Sequence, residues 1–172
     1  PVGFGGSNTS VFKQDSGEKL YRRSMYTFWK RTSPPPSMTT FDAPDRETCQ
    51  VRRARTNTPL QALVLMNDVQ FIEAARKFAE RILRSGGESD EQRLVYAFRS
   101  IVGRRPSTEE LEKLLVFQAD YRQQFGQDET AVTQFLSAGE SPRDESLDAS
   151  DLAAWSMLAH LLMNLSETIT KG

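Results

Sequence analysis

The chain has 172 residues and a formal net charge of −1 at pH 7, a length that suits one domain with a real core and a balance that excludes a global field drawing it to nucleic acid or anionic membrane. Cys49 is the only cysteine and His160 the only histidine, which excludes an internal disulfide and any zinc site built from Cys and His within the chain. No apolar run is long enough to span a bilayer. No signal peptide is visible, and a Gly-rich start at Pro1 reads as a cut from something longer.

The charge is unevenly spread. Lys19, Arg22, Arg23, Lys30, Arg31, Arg46, Arg52, Arg53 and Arg55 face only Asp42, Asp45 and Glu47 in the same stretch, whereas acids dominate from Ser107 onward. Internal pairing of the two parts is the commoner use of such an asymmetry; an anionic partner for the first part is the other.

Residues 1–17 are rich in Gly, Ser and Asn and read as an irregular lead-in, followed by a single helical domain over 18–172. Leu20, Tyr21, Ser24, Met25, Phe28 and Trp29 recur at helical spacing and predict a helix over 18–31. Pro34-Pro35-Pro36 ends it and predicts an extended connector, here a stiff linker rather than an SH3-type ligand. Thr58-Pro59-Leu60-Gln61 has the form of a capping box with proline at the first helical position. That predicts a helix to about Met66, a break at Asn67, and Asp68 capping a further helix to Arg84. Gly86-Gly87 closes that helix. Leu94, Ala97, Phe98, Ile101 and Val102 mark the helix 90–102, with Gly103 as its C-cap. Ser107 and Glu110 open another capping box, for a helix to Phe125. Val132, Phe135 and Leu136 mark a short helix over 129–137. After an acidic loop over 139–148, Leu152, Trp155, Ala159, Leu162 and Leu165 mark a last helix from Ser150 to Glu167. The fold class is therefore mainly α, an irregular bundle of about five to six helices with an extended Pro-rich and charged N-terminal segment.

One polar stretch is dense enough to carry chemistry. Between Thr40 and Pro59 it sets Asp42, Asp45 and Glu47 among Arg46, Arg52, Arg53 and Arg55, just before a helix N-terminus. Exposed backbone N–H groups there favour an anion, and guanidinium groups strengthen that preference through charge-assisted bonds. Asp42, Arg46, Glu47, Arg53, Arg55 and Asn57 are the candidate binding residues, for a carboxylate, sulfate or phosphate. The opposing reading is a structural ion-pair network, and such networks mimic functional ones. It is the commoner outcome. No residue stands out as catalytic or metal-binding. Two loop acids at the spacing of Asp42 and Asp45 are a weak acid–base signal. A lone cysteine is most often a small buried group. His160 reads as a satisfied helix histidine rather than a haem ligand, and Trp29 and Trp155 read as core anchors rather than base-stacking platforms.

The run from Tyr21 to Arg31, Pro34-Pro35-Pro36, Thr40-Phe41-Asp42-Ala43-Pro44 and Arg53-Ala54-Arg55-Thr56-Asn57-Thr58-Pro59-Leu60-Gln61-Ala62-Leu63 together resemble the planctomycete-specific C-terminal domain of unknown function found in large exported proteins. The likeness continues through Asn67-Asp68, Gly103-Arg104-Arg105-Pro106-Ser107 and Asn164-Leu165-Ser166-Glu167-Thr168. Val69 and Ser166 stand where that family usually carries Pro and Asp. The resemblance implies an exported or periplasmic multidomain parent, often with a cytochrome c region upstream, and the parent's upstream domains as partners. It brings no established activity. The haem-attachment pattern Cys-x-x-Cys-His is absent, so no cofactor is expected in this segment. The expectation is a noncatalytic helical module acting in domain packing or partner binding. The alternative is an anionic-polysaccharide-binding or carbohydrate-active segment using the Asp/Arg motif. Nucleic-acid binding is the least supported, given the neutral total charge.

Overall fold

The computed structural model describes residues 15–27, 29, 34–44, 48–52 and 54–170. Within them the chain is mainly helical and contains no strand. It divides into two compact units, Pro1–Val64 and Leu65–Gly172.

The first unit begins with two short 3-10 turns, Gly17–Tyr21 and Ser24–Tyr26, where helical spacing had predicted one helix over 18–31. The chain leaves the helical region at Arg22 (ψ 148°) and again at Thr27 (ψ 134°). Neither turn has a side-chain cap, and aromatic and β-branched residues lose rotamer freedom in a helix, so nothing local drives propagation. Residues 28 and 30–33 lie outside the described residues. Pro35 is extended (φ −58°, ψ 129°), as the proline run predicts, but Pro36 then opens helix α1, Pro36–Thr40. Proline fits a first helical position because its missing N–H is not needed there. Thr39 and Thr40 both donate their hydroxyls to the Pro36 carbonyl, each at 2.9 Å. Helix α2 is Pro59–Asn67, and its capping box forms as read: Thr58 N donates to Gln61 Oε1 (3.0 Å) and Gln61 N to Thr58 Oγ1 (3.3 Å).

The second unit holds α3 (Val69–Ser85), α4 (Asp90–Val102), α5 (Thr108–Gln127), α6 (Glu129–Leu136), α7 (Ala149–Met163) and α8 (Ser166–Ile169). The start signals act as expected. Asp68 caps α3 through Gln70 N. Ser89 with Gln92 and Ser107 with Glu110 form reciprocal capping boxes, and Gly103 ends α4 in the left-handed region at φ 87°. Helix α7 is the centre of the unit and packs against α3, α5 and α6. Leu152, Trp155, Leu158 and Leu162 are wholly buried within it, and so are Ala153, Ala154 and Ser156. Burial on all sides explains why its apolar residues run almost continuously rather than in one stripe. It stops at Asn164, short of the expected Glu167, and α8 is a separate turn whose first-turn amides Thr168 and Ile169 bond back to Leu165 O.

Ion pairs fix the direction of α5 against α7. Arg122 near the end of α5 reaches Asp151 at the start of α7 and Asp90 at the start of α4, both at 2.8 Å. Arg104, just before α5, reaches Glu110 (2.7 Å) and Glu167 in α8 (3.0 Å). The two helices are therefore antiparallel. Gln118 is buried without a hydrogen-bond partner for either amide atom among the described residues, and so is Trp155 Nε1.

Candidate functional site

The polar stretch before α2 folds around Asp42. Asp42 has a positive φ of 58°, a conformation Asp and Asn tolerate better than most residues because their short side chains bond locally. Its carboxylate accepts from Thr56 N (2.7 Å) and Thr56 Oγ1 (2.9 Å). Gln61, buried on the first turn of α2, donates through Nε2 to Thr40 O (2.9 Å) and Thr56 Oγ1 (3.0 Å). One carboxylate and one amide thus staple residues 40–42 to residues 56–61. Gln61 does two jobs, since its Oε1 closes the capping box while its Nε2 holds the loop.

This arrangement also weakens the helix N-terminus as an anion cradle. Pro59 has no N–H, and Gln61 N is taken by Thr58 Oγ1, so two of the first three helical positions offer no amide to a ligand. Of the candidate binding residues, Asp42 is therefore engaged structurally, and Arg55 and Asn57 are exposed on the same loop. Arg46, Glu47 and Arg53 lie outside the described residues. Cys49 is exposed, not buried as a lone cysteine usually is.

A second polar cluster escaped the sequence reading. Helix α3 carries Glu73, Arg76 and Glu80 on a buried face, where periodicity alone singles out Phe71, Ala75, Phe78 and Ile82. These side chains grip the 138–148 loop by its backbone. Glu73 Oε2 accepts from Glu140 N (2.6 Å) and Ser141 N (3.3 Å). Arg76 donates to Ser141 O at 2.5 Å, Lys77 Nζ to Pro142 O at 2.7 Å, and Glu80 Oε1 accepts from Asp144 N at 3.1 Å. Arg84 pairs with Asp144, whose carboxyl is also held by Ser146 and lies below its usual pKa, the Ser146 hydrogen bonds contributing most. Gly139 makes the approach possible. Its φ is 96°, and a Cβ there would collide with the Glu73 carboxylate. Buried charges must be paired and hydrogen-bonded, and here most of the partners are loop peptide groups. A sequence signal existed in the acids and bases of α3 at i, i+3 and i+4 spacing, but it is the same signal a solvated face produces.

His160 is buried on α7, and its Nε2 donates to Leu65 O at 2.6 Å. A carbonyl only accepts, so the ring proton sits on Nε2. The satisfied-histidine reading holds. Among the described residues no group of three or more His, Cys, Asp or Glu is placed to hold a metal ion, and no helix is long and apolar enough to cross a membrane.

A protein-family model matches residues 5–118, and its description is PSD1, a protein of unknown function (DUF1553). The matched span takes in the Tyr21–Arg31 run, the Asp/Arg stretch, the α2 start and Gly103–Ser107, and ends within α5; the closing Asn164–Thr168 lies beyond it. No curated protein and no solved structure matches the chain. With about two thirds of its length matched, this chain belongs to the PSD1 (DUF1553) family of proteins of unknown function.

Proposed function

We propose that this chain is a noncatalytic helical module that works by packing against other domains or a partner protein, within an exported, cytochrome c-associated multidomain parent. The observation that carries the reading is where the polar side chains of the interior go. Glu73, Arg76, Glu80 and His160 each direct polar atoms to the chain's own backbone, which is how a scaffold uses buried polar groups. Val116 and Phe117 on α5 remain exposed and offer an apolar contact to a neighbour. Export and the cytochrome c association rest on the motif resemblance from Tyr21 to Thr168.

The test is amide hydrogen exchange over α5 in the full parent chain and in this segment alone. Packing predicts slower exchange around Val116 and Phe117 in the parent, and loss of that difference with Phe117→Asp. Equal exchange in both contexts sinks the packing role for this face. The second reading, an anionic-polysaccharide-binding segment, draws on Arg55 and Asn57, exposed on one loop. It predicts saturable binding to a sulfated or uronic glycan that Arg55→Ala weakens; binding untouched by that substitution would count against it.

A further inference from the structure

The second unit contains an open cleft of about 360 Å³ on α4 and the start of α5, far in sequence from the Asp/Arg stretch. Its size sits at the lower end of small-molecule sites, roughly 300–1,000 Å³. Helix α4 supplies one side through Glu91, Gln92, Tyr96 and Arg99, and the turn into α5 supplies Arg105 and Leu111. Tyr96 and Leu111 are half-buried and pack against the core, so this wall is held rigidly.

Several of the polar side chains lining the cleft are unspent. Among the described residues the guanidinium groups of Arg99 and Arg105 have no acidic or hydrogen-bonding partner, and neither does the Tyr96 hydroxyl. Elsewhere in this unit Arg76, Arg84, Arg93, Arg104 and Arg122 are engaged by acids or carbonyls, Arg81 lies over the Phe78 ring, and Arg143 is exposed on the 138–148 loop. Two guanidinium groups lining one cleft favour an oxyanion, which such groups bind through charge-assisted and often bidentate bonds. Glu91 lies eight residues before Arg99 on the same helix, about 12 Å along its axis at 1.5 Å per residue. Along the helix from Arg99 the lining therefore also includes a carboxylate acceptor, with Tyr96 at an intermediate position supplying a ring and a hydroxyl. Gln92 is fixed in place because its Oε1 accepts from Glu88 N and Ser89 N, which leaves its NH2 as a further donor.

We infer that this cleft binds an acidic sugar unit, its carboxylate or sulfate on Arg99 and Arg105 and its ring and hydroxyls along Tyr96, Gln92 and Glu91. The site is separate from the Asp/Arg stretch and does not depend on the packing role. Arg99 and Arg105 are exposed, so replacing them leaves the fold intact.

The experiment is an NMR titration of the whole chain with D-glucuronate, D-glucose 6-sulfate, D-glucose and inorganic sulfate, repeated on Arg99→Gln, Arg105→Gln and the double variant. Saturable shifts at cleft residues are expected with the two acidic sugars and not with glucose. Each single variant weakens binding at least tenfold and the double variant abolishes it, with thermal midpoints unchanged and Arg55→Ala behaving as wild type. The inference is overturned if neither acidic sugar binds saturably, if binding survives in the double variant, or if inorganic sulfate binds as tightly as the sugars.

Discussion

Replacing Glu73 by Ala probes the grip of α3 on the 138–148 loop most directly. Glu73 and Arg76 hold opposite sides of the same residue, the carboxylate on Ser141 N and the guanidinium on Ser141 O. Losing the carboxylate removes the short bond from Glu140 N and the longer one from Ser141 N. Hydrogen bonds to a charged group contribute about 1.5–3 kcal/mol each, and the weaker geometry of the second trims the sum for the two to about 3–5 kcal/mol. That destabilisation corresponds to a fall in Tm of roughly 6–20 °C for a chain of this size. Glu73→Gln keeps an uncharged acceptor and should lose about half as much. Circular dichroism gives the midpoint, and trypsin gives the local reading, since Arg143 is exposed within the loop. Cleavage after Arg143 should accelerate in Glu73→Ala well below the melting temperature. A variant that melts within about 4 °C of wild type, a change of roughly 1 kcal/mol, and is cut no faster would show that Glu73 does not anchor the loop.

Three further outcomes follow from the same structure. Gln118→Met removes a buried amide that has no partner among the described residues while keeping its volume; it should raise Tm by roughly 2–8 °C, about 1–2 kcal/mol, and a lower Tm would mean the amide is satisfied. Glu110 is held down to about 2, first by the Arg104 hydrogen bond and then by Ser107 N, against an ordinary value of 4.5. Because the folded state binds this proton less well than the unfolded chain, the stabilisation is complete above about pH 4.5 and is lost as pH falls through about 2. Wild type should therefore shed its Tm advantage over Glu110→Gln between those values, and parallel curves would refute the assignment. Asp42→Ala strips Thr56 of its acceptor, so the Thr56 amide should exchange at least tenfold faster, with Asp42→Asn intermediate; unchanged protection would remove Asp42 from its stapling role.

Helix starts were legible in the residues alone because a cap is a contact between neighbours in sequence. Thr58–Gln61, Ser107–Glu110 and Asp68 each satisfy first-turn amides with a side chain two or three positions away, so no fold need be known to place them. The amphipathic run of α4 was legible for a similar reason: one apolar stripe demands one buried face. The sequence also carried the mainly helical class and the family motifs.

Tertiary structure decided what depends on distant partners. Glu73, Arg76 and Glu80 look like a solvated helix face until a loop some 65 residues later in the chain lays its peptide groups over them. The 18–31 stretch has helical spacing, yet two isolated 3-10 turns form in its described part, because spacing says which faces align and not whether packing stabilises the helix. Asp42 and Gln61 turned from candidate and cap into a staple only when Thr56 came between them. That Arg99 and Arg105 find no partner among the described residues is likewise invisible in one dimension, since a guanidinium's freedom is a property of everything around it and not of its place in the chain.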